Sequence, residues 1–237
     1  MPREPRVVAV GAPHHITQRG NARQDVFTTD SIRRAYLQLL GLHAAASRLR
    51  ILAYCLMTNH VHIVAIPDTD TSMANTLRHA HGRFSQYWNT ERNRIGHLWQ
   101  NRYYSCPVEE SVVGRVIAYV EDNPVRAGLV ERAEDFEWSS ARAHTATADF
   151  GKMLDGEWWQ ERWSAAEWRA ILTERMQSAE ELRAIREATY SGRPFGSKQF
   201  VAGLEERLGR KLELHAGVRS KEGLPAEGNQ MSLWTAK

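Results

Sequence analysis

From residue 13 to residue 123 the chain alternates short strand-like runs with longer stretches of helical period. "PHHITQRGN" (13–21) reads as a short strand ending in a Gly-Asn turn. Asp30 is placed to cap a helix reaching about Ser47, because Ile32, Tyr36, Leu39, Leu40 and His43 fall at helical spacing. "RILAYCLMTNHVHIVAIP" suits two strands in a hairpin that turns near Thr58-Asn59. Residues 71–92 return to helical period, with Met73, Leu77, Phe84 and Trp88 on one side. The aromatic-rich "GHLWQNRYYSCPV" (96–108) is strand-like again. Ser111 is placed to cap a helix over "SVVGRVIAYVEDN" that ends near Asn123, since Pro124 disfavours helical geometry in the residue before it. This order predicts an α+β fold, a ferredoxin-like antiparallel sheet with helices packed on one face.

Beyond Trp138 the pattern changes. "GEWWQERWSAAEW" gathers four of the eight tryptophans, and helical periods follow at about 164–176, 179–189 and 197–208. The expected organisation is a sheet-bearing domain over 1–145, a helical extension over 146–215 and a mobile tail over 216–237. The Gly-Pro-Gly break in "SGRPFGS" would suit a helix-turn-helix touching DNA, but the extension's charge balance and tryptophans favour packing against the sheet domain.

Composition narrows the partners. A hydrophobic content of 42% supports a real core, and no run of eighteen apolar residues or cleavable signal is present, so a cytoplasmic, nucleoid-associated protein is expected. Cys55 and Cys106 fall in apolar strand-like contexts and read as buried thiols. Residues 1–145 contain 17 Arg, no Lys and 14 acidic groups, whereas the remaining 92 residues balance 14 against 14. The positive excess therefore lies in the part that also holds nine of the ten histidines. Exclusive use of Arg suits bidentate phosphate contacts, and high genomic GC content gives the same bias.

Two stretches carry candidate chemistry. In "CLMTNHVHIVAIP", His60 and His62 stand two apart on a strand, so both rings face one side. Such a pair is either packed and hydrogen-bonded or holds one small cation between neutral imidazoles. In "YVEDNPVRAGLV", Tyr119 and Asn123 are i and i+4 on a helix and share a face. A phenol is a possible nucleophile toward phosphorus, and an amide oxygen suits a hard divalent cation. Arg19, Gly20 and Asn21 offer a guanidinium and a turn that a phosphate can approach. Trp99, Gln100, Arg102 and Tyr103 suit stacking on unpaired bases, or else a core. Arg78 and Arg83, with Arg92 and Arg94, make one helix basic, as a DNA-facing or a merely solvated surface. Glu121 and Asp122 read as helix-end or solvent-facing groups.

"HITQRGN", "YCLMTNHVHIVAIP", "HLWQNRYYS", "YVEDNPVRAGLV" and "WSSARAH", in that order, resemble the REP-associated tyrosine transposases, a branch of the single-tyrosine HUH transposases. The resemblance spans roughly residues 6–145. It implies that His60, His62 and Asn123 bind Mg²⁺ or Mn²⁺ and that Tyr119 is the nucleophile. It further implies a monomer that cuts and rejoins single-stranded DNA at hairpins of repetitive extragenic palindromes through a 5′-phosphotyrosine link. The alternatives are a hairpin-binding regulatory protein with little cleavage, and a metal-dependent hydrolase of small phosphate esters.

Overall fold

The computed structural model describes residues 5–146, 148–174 and 178–212, so the expected tail over 216–237 lies outside the described residues. Four strands form one sheet: β1 (His14–Arg19), β2 (Leu49–Met57), β3 (His60–Pro67) and β4 (Tyr104–Pro107), in the order β2-β3-β1-β4. Every neighbouring pair is antiparallel. With helix α1 (Asp30–Ala46) after β1 and α2 (Ser72–Glu91) after β3, this is the ferredoxin-like arrangement expected from the pattern.

Both crossover helices cover the same face. Ile16, Val61, Ile63 and Ala65 of the sheet share a core with Ile32, Tyr36 and Leu40 of α1 and with Met73, Leu77, Phe84 and Trp88 of α2. The one-face expectation stops there, because the opposite face is covered as well. Ala53, Cys55, Val64, Ile66 and Cys106 pack against Val116, Ile117 and Val120 of α3 (Val113–Glu121) and against the C-terminal helices. The physical reason lies in β3, whose eight residues are all buried: a strand apolar on both sides needs cover on both.

Local details correct the sequence reading. Thr29, not Asp30, caps α1, its side chain accepting from the Ile32 N–H. Of the strand expected over 96–108 only Tyr104–Pro107 pairs in the sheet as a strand. Ser111 falls in a short 3₁₀ turn over Glu110–Val112, and α3 begins at Val113. After Asp122 the chain continues as a one-turn helix α4 (Asn123–Arg126), whose first turn contains Pro124, where a missing N–H costs nothing.

The extension comprises α5 (Ala141–His144), α6 (Gly156–Gln160), α7 (Ala165–Glu174), α8 (Ala179–Ser191) and α9 (Lys198–Leu208). Trp158, Trp159, Trp168, Ile185 and Ala188 enter the same core as α3, so these helices pack on the sheet domain. Both sheet edges are also covered. Along β2, the Leu56 N–H donates to the Trp138 carbonyl and the Ser140 N–H to the Tyr54 carbonyl. Along β4, the Phe195 N–H donates to the Pro107 carbonyl and the Glu109 N–H to the Phe195 carbonyl. The "WSS" and "RPFG" stretches thus occupy edges that would otherwise offer unpaired backbone to another chain. Gly196 is needed there, since a Cβ would come within 2.5 Å of the Glu109 Cβ. Among the described residues no helix is long and apolar enough to cross a membrane. Cys55 and Cys106 are buried thiols not joined in a disulfide.

Candidate active site

The register of the sheet decides what surrounds the histidine pair. On β3, His60, His62, Val64 and Ile66 face α3; across the ladder, Arg19 pairs with His60, Thr17 with His62 and His15 with Val64. His15 and His62 are therefore diagonal neighbours on one face. Their rings stack at 5.1 Å, and His15 Nε2 lies 2.9 Å from His62 Nδ1. The His60 and His62 rings stand 4.9 Å apart and nearly perpendicular.

Helix α3 brings Tyr119 onto this group. Its ring meets His62 edge-on at 5.8 Å and His15 at 5.6 Å. Asn123 follows at the start of α4, and Arg126 holds the two together. The Arg126 guanidinium lies 4.6 Å above the Tyr119 ring, donates to the Tyr119 carbonyl at 2.8 Å and to Asn123 Oδ1 at 2.6 Å, and pairs with Asp122 at 3.3 Å. Asn123 Nδ2 donates to the Val120 carbonyl. Tyr119 is 1% exposed, so in this conformation the phenol is covered.

The donor set suits a cation at the pair. His60 Nδ1 lies 2.7 Å from Asn59 Oδ1, an acceptor, so His60 carries its proton on Nδ1 and its lone pair on Nε2. The Asn59 amide is oriented by Nδ2 donating to the Arg23 carbonyl. His62 Nδ1 is engaged by His15, so a cation at His62 would meet Nε2. Asn123 Oδ1 accepts one hydrogen bond from Arg126 and has a second lone pair. Among the described residues no three His, Cys, Asp or Glu side chains cluster at metal-holding spacing.

The other candidates divide by face. Arg19 sits beside His60, but the turn that follows is committed to the fold. The Gly20 N–H donates to the Asn59 carbonyl and the Asn21 N–H to the Leu98 carbonyl, and a Cβ on Gly20 would come within 2.5 Å of the Gln24 carbonyl. What this turn still presents outward are the side chains of Asn21 and, one residue past Ala22, Arg23. Trp99 packs on the far face, its ring 4.7 Å from His81 and its N–H donating to the His81 carbonyl. Gln100 and Arg102 are exposed, with the Gln100 N–H bonded to the Arg19 carbonyl. Tyr103 lies under the Arg6 guanidinium at 3.7 Å, and burial raises its pKa. Arg78 and Arg83 are on the exposed side of α2, which covers the face opposite the histidines.

Sequence reasoning missed three contributors. His15 gave no sign of its role because the contact with His62 depends on strand register. Arg126 lies inside the "YVEDNPVRAGLV" motif and was detectable as i+3 to Asn123. Glu121 is not at a solvent-facing helix end but fully buried. It accepts from the Ser140 hydroxyl and, at 2.8 Å, from the Trp168 indole, and lies 2.5 Å from His144 Nδ1.

Residues 10–123 match the family model of the IS200-like transposases. Among solved structures, a REP-associated tyrosine transposase bound to a REP hairpin matches at 19% identity and a TM-score of 0.50, over 66% of this chain and 92% of that one. A crystal structure of a Deinococcus radiodurans protein described as a transposase matches at 17% identity and a TM-score of 0.37, over 51% and 96%. No curated protein matches the chain by sequence. The ferredoxin-like sheet with its histidine pair and tyrosine helix thus forms the stretch, residues 10–123, that matches the IS200-like transposase model, just under half of the chain, and the fold is similar to that of a REP-associated tyrosine transposase.

Proposed function

We propose that the protein is a metal-dependent single-strand DNA endonuclease and strand-transferase acting on hairpins of repetitive extragenic palindromes, as a monomer. The observation that carries this reading is the convergence of His60, His62 and Tyr119 on one sheet face of a transposase-family domain. His60 and His62, through their Nε2 atoms, and Asn123, through Oδ1, would hold Mg²⁺ or Mn²⁺. When bound, the cation supplies Lewis-acid polarisation of a phosphate oxygen. The Tyr119 oxygen attacks phosphorus as the phenol gives up its proton. The P–O3′ bond breaks, the departing 3′-oxygen takes a proton, and the DNA 5′-phosphate stays on the tyrosine. A different 3′-hydroxyl reverses the step and joins strands, with no nucleotide cofactor. Arg126 orients Tyr119 and Asn123 relative to each other, while Arg19 offers a cation beside His60 for the DNA backbone.

Because Tyr119 is covered, the DNA reaches it only after part of that cover moves. The same burial favours a second reading, a hairpin-binding regulatory protein with little cleavage. End-labelled single-stranded hairpins incubated with Mg²⁺ or Mn²⁺ and run on a denaturing gel separate the two. The expected result is a protein-linked 3′ fragment and a released 5′ fragment for the wild type, lost in Tyr119→Phe and His62→Ala. Tight binding without cutting would support regulation, and cleavage surviving Tyr119→Phe would remove the tyrosine from the mechanism.

A further inference from the structure

We infer that Thr189, on α8 of the C-terminal extension, is a positioning residue that selects the metal-ligating tautomer of His62 through His15. The inference rests on the metal role proposed for His62. His15 Nδ1 lies 2.7 Å from Thr189 Oγ1, and His15 Nε2 lies 2.9 Å from His62 Nδ1. All three side chains are 1% exposed, so the chain of contacts runs through dry protein.

Two proton arrangements satisfy the His15–His62 contact. In one, His62 carries its proton on Nδ1, donates it to His15 Nε2 and keeps its lone pair on Nε2. In the other, His15 donates from Nε2, and His62 must then carry its proton on Nε2, where a metal would otherwise bind. The imidazoles alone do not choose between them.

Thr189 breaks the tie. Its hydroxyl has one proton, and Oγ1 lies 2.8 Å from the Ile185 carbonyl, the i−4 back-bond common for Thr in a helix. The Ile185 carbonyl can only accept, and with the hydroxyl proton engaged in this back-bond Thr189 Oγ1 faces His15 as an acceptor. His15 therefore carries its proton on Nδ1, its Nε2 accepts, and His62 is left with its lone pair on Nε2. The other neighbour agrees with this polarity. Cys106 Sγ lies 3.5 Å from Thr189 Oγ1, and burial pushes its thiol up to about 12, so it keeps an S–H to donate. The carboxylate–histidine–metal arrangement thus has a neutral counterpart here, in which a hydroxyl 174 residues from His15 sets the orientation.

The test uses the full chain labelled with ¹⁵N-histidine at pH 8, with no metal and no DNA. In the wild type, the ¹⁵N shifts of His15 and His62 should both show the proton on Nδ1; a proton on His62 Nε2 overturns the inference without any variant. Thr189→Ser should keep the pattern. Thr189→Val removes the acceptor at nearly constant volume and should move the His62 proton to Nε2. Titration with Mn²⁺ alone should then show affinity weakened about 10-fold in Thr189→Val and unchanged in Thr189→Ser. An unchanged His62 pattern in Thr189→Val, or a reversed pattern with unchanged Mn²⁺ affinity, overturns the role assigned to Thr189. The expected tautomers and their reversal in a protein that binds no Mn²⁺ at all would uphold tautomer selection by Thr189 and instead defeat the metal role of His62.

Discussion

His62 and His144 are both fully buried imidazoles on the α3 side of the sheet, yet their surroundings are opposite in kind. His144 lies flat on the Trp159 indole, 3.5 Å between centroids, with the Glu121 carboxylate 2.5 Å from its Nδ1. His62 has another imidazole, His15, as its partner, and the rings of His60 and Tyr119 stand nearly perpendicular to it. The first arrangement packs the imidazole against Trp159, Trp168 and Phe150 beside a carboxylate and serves as a clamp. The second brings three imidazoles and a phenol ring together. Both hang from one helix: Tyr119 and Glu121, two residues apart, emerge about 200° apart around α3. One side of the helix therefore meets the sheet histidines while the other is tied to the extension. The contacts of Glu121 hold the tyrosine helix from one side, and the imidazoles of the sheet meet it from the other.

The largest effect is expected where the clamp is broken. Glu121→Ala leaves the Ser140 hydroxyl, the Trp168 indole and His144 facing an empty acceptor site. It should lower stability by about 3–5 kcal/mol in urea denaturation. A loss under about 1 kcal/mol would show that Glu121 is not a clamp.

A third histidine sharpens the contrast by having no acid at all. His81 is buried against Tyr36 and Trp99, and burial alone lowers its pKa to about 3; burial likewise lowers His14 to about 4, against backbone hydrogen bonds that raise it. Because these values lie below the ordinary 6.5, the unfolded chain binds more protons between them. Stability should therefore be full above about pH 6.5 and fall by about 1.4 kcal/mol per pH unit for each histidine as the pH drops through that window. Urea midpoints from pH 7 to pH 4 would show this, with a shallower slope in His81→Gln.

The smallest stability effect is expected at the proposed nucleophile. Tyr119→Phe keeps the ring under Arg126 and beside His62. It should change stability by less than about 1 kcal/mol while abolishing cleavage. A large loss of stability would place Tyr119 with the clamp.

Much of this was legible in the sequence because it is local. The hairpin at Thr58-Asn59, both crossover helices and the shared face of His60 and His62 follow from periods of two and 3.6. What escaped is set by distant packing. Glu121 looked like a helix-end carboxylate because Ser140, His144 and Trp168 are 19 or more residues away in sequence. For Trp99 the sequence offered a DNA-stacking position or a core position, and the structure packs its ring against His81 on the far face. The charge balance and tryptophans of the extension favour its packing on the sheet domain, but they do not foresee the pairing of Phe195 along the β4 edge.

The most direct test of the central claim is the chemical identity of the protein–DNA link. Wild-type protein would be incubated with a single-stranded palindromic hairpin and Mg²⁺, digested with trypsin and analysed by mass spectrometry. The account predicts that the peptide of residues 116–126 carries a 5′-phosphorylated DNA fragment on Tyr119. Cleaved DNA with that peptide unmodified would contradict it.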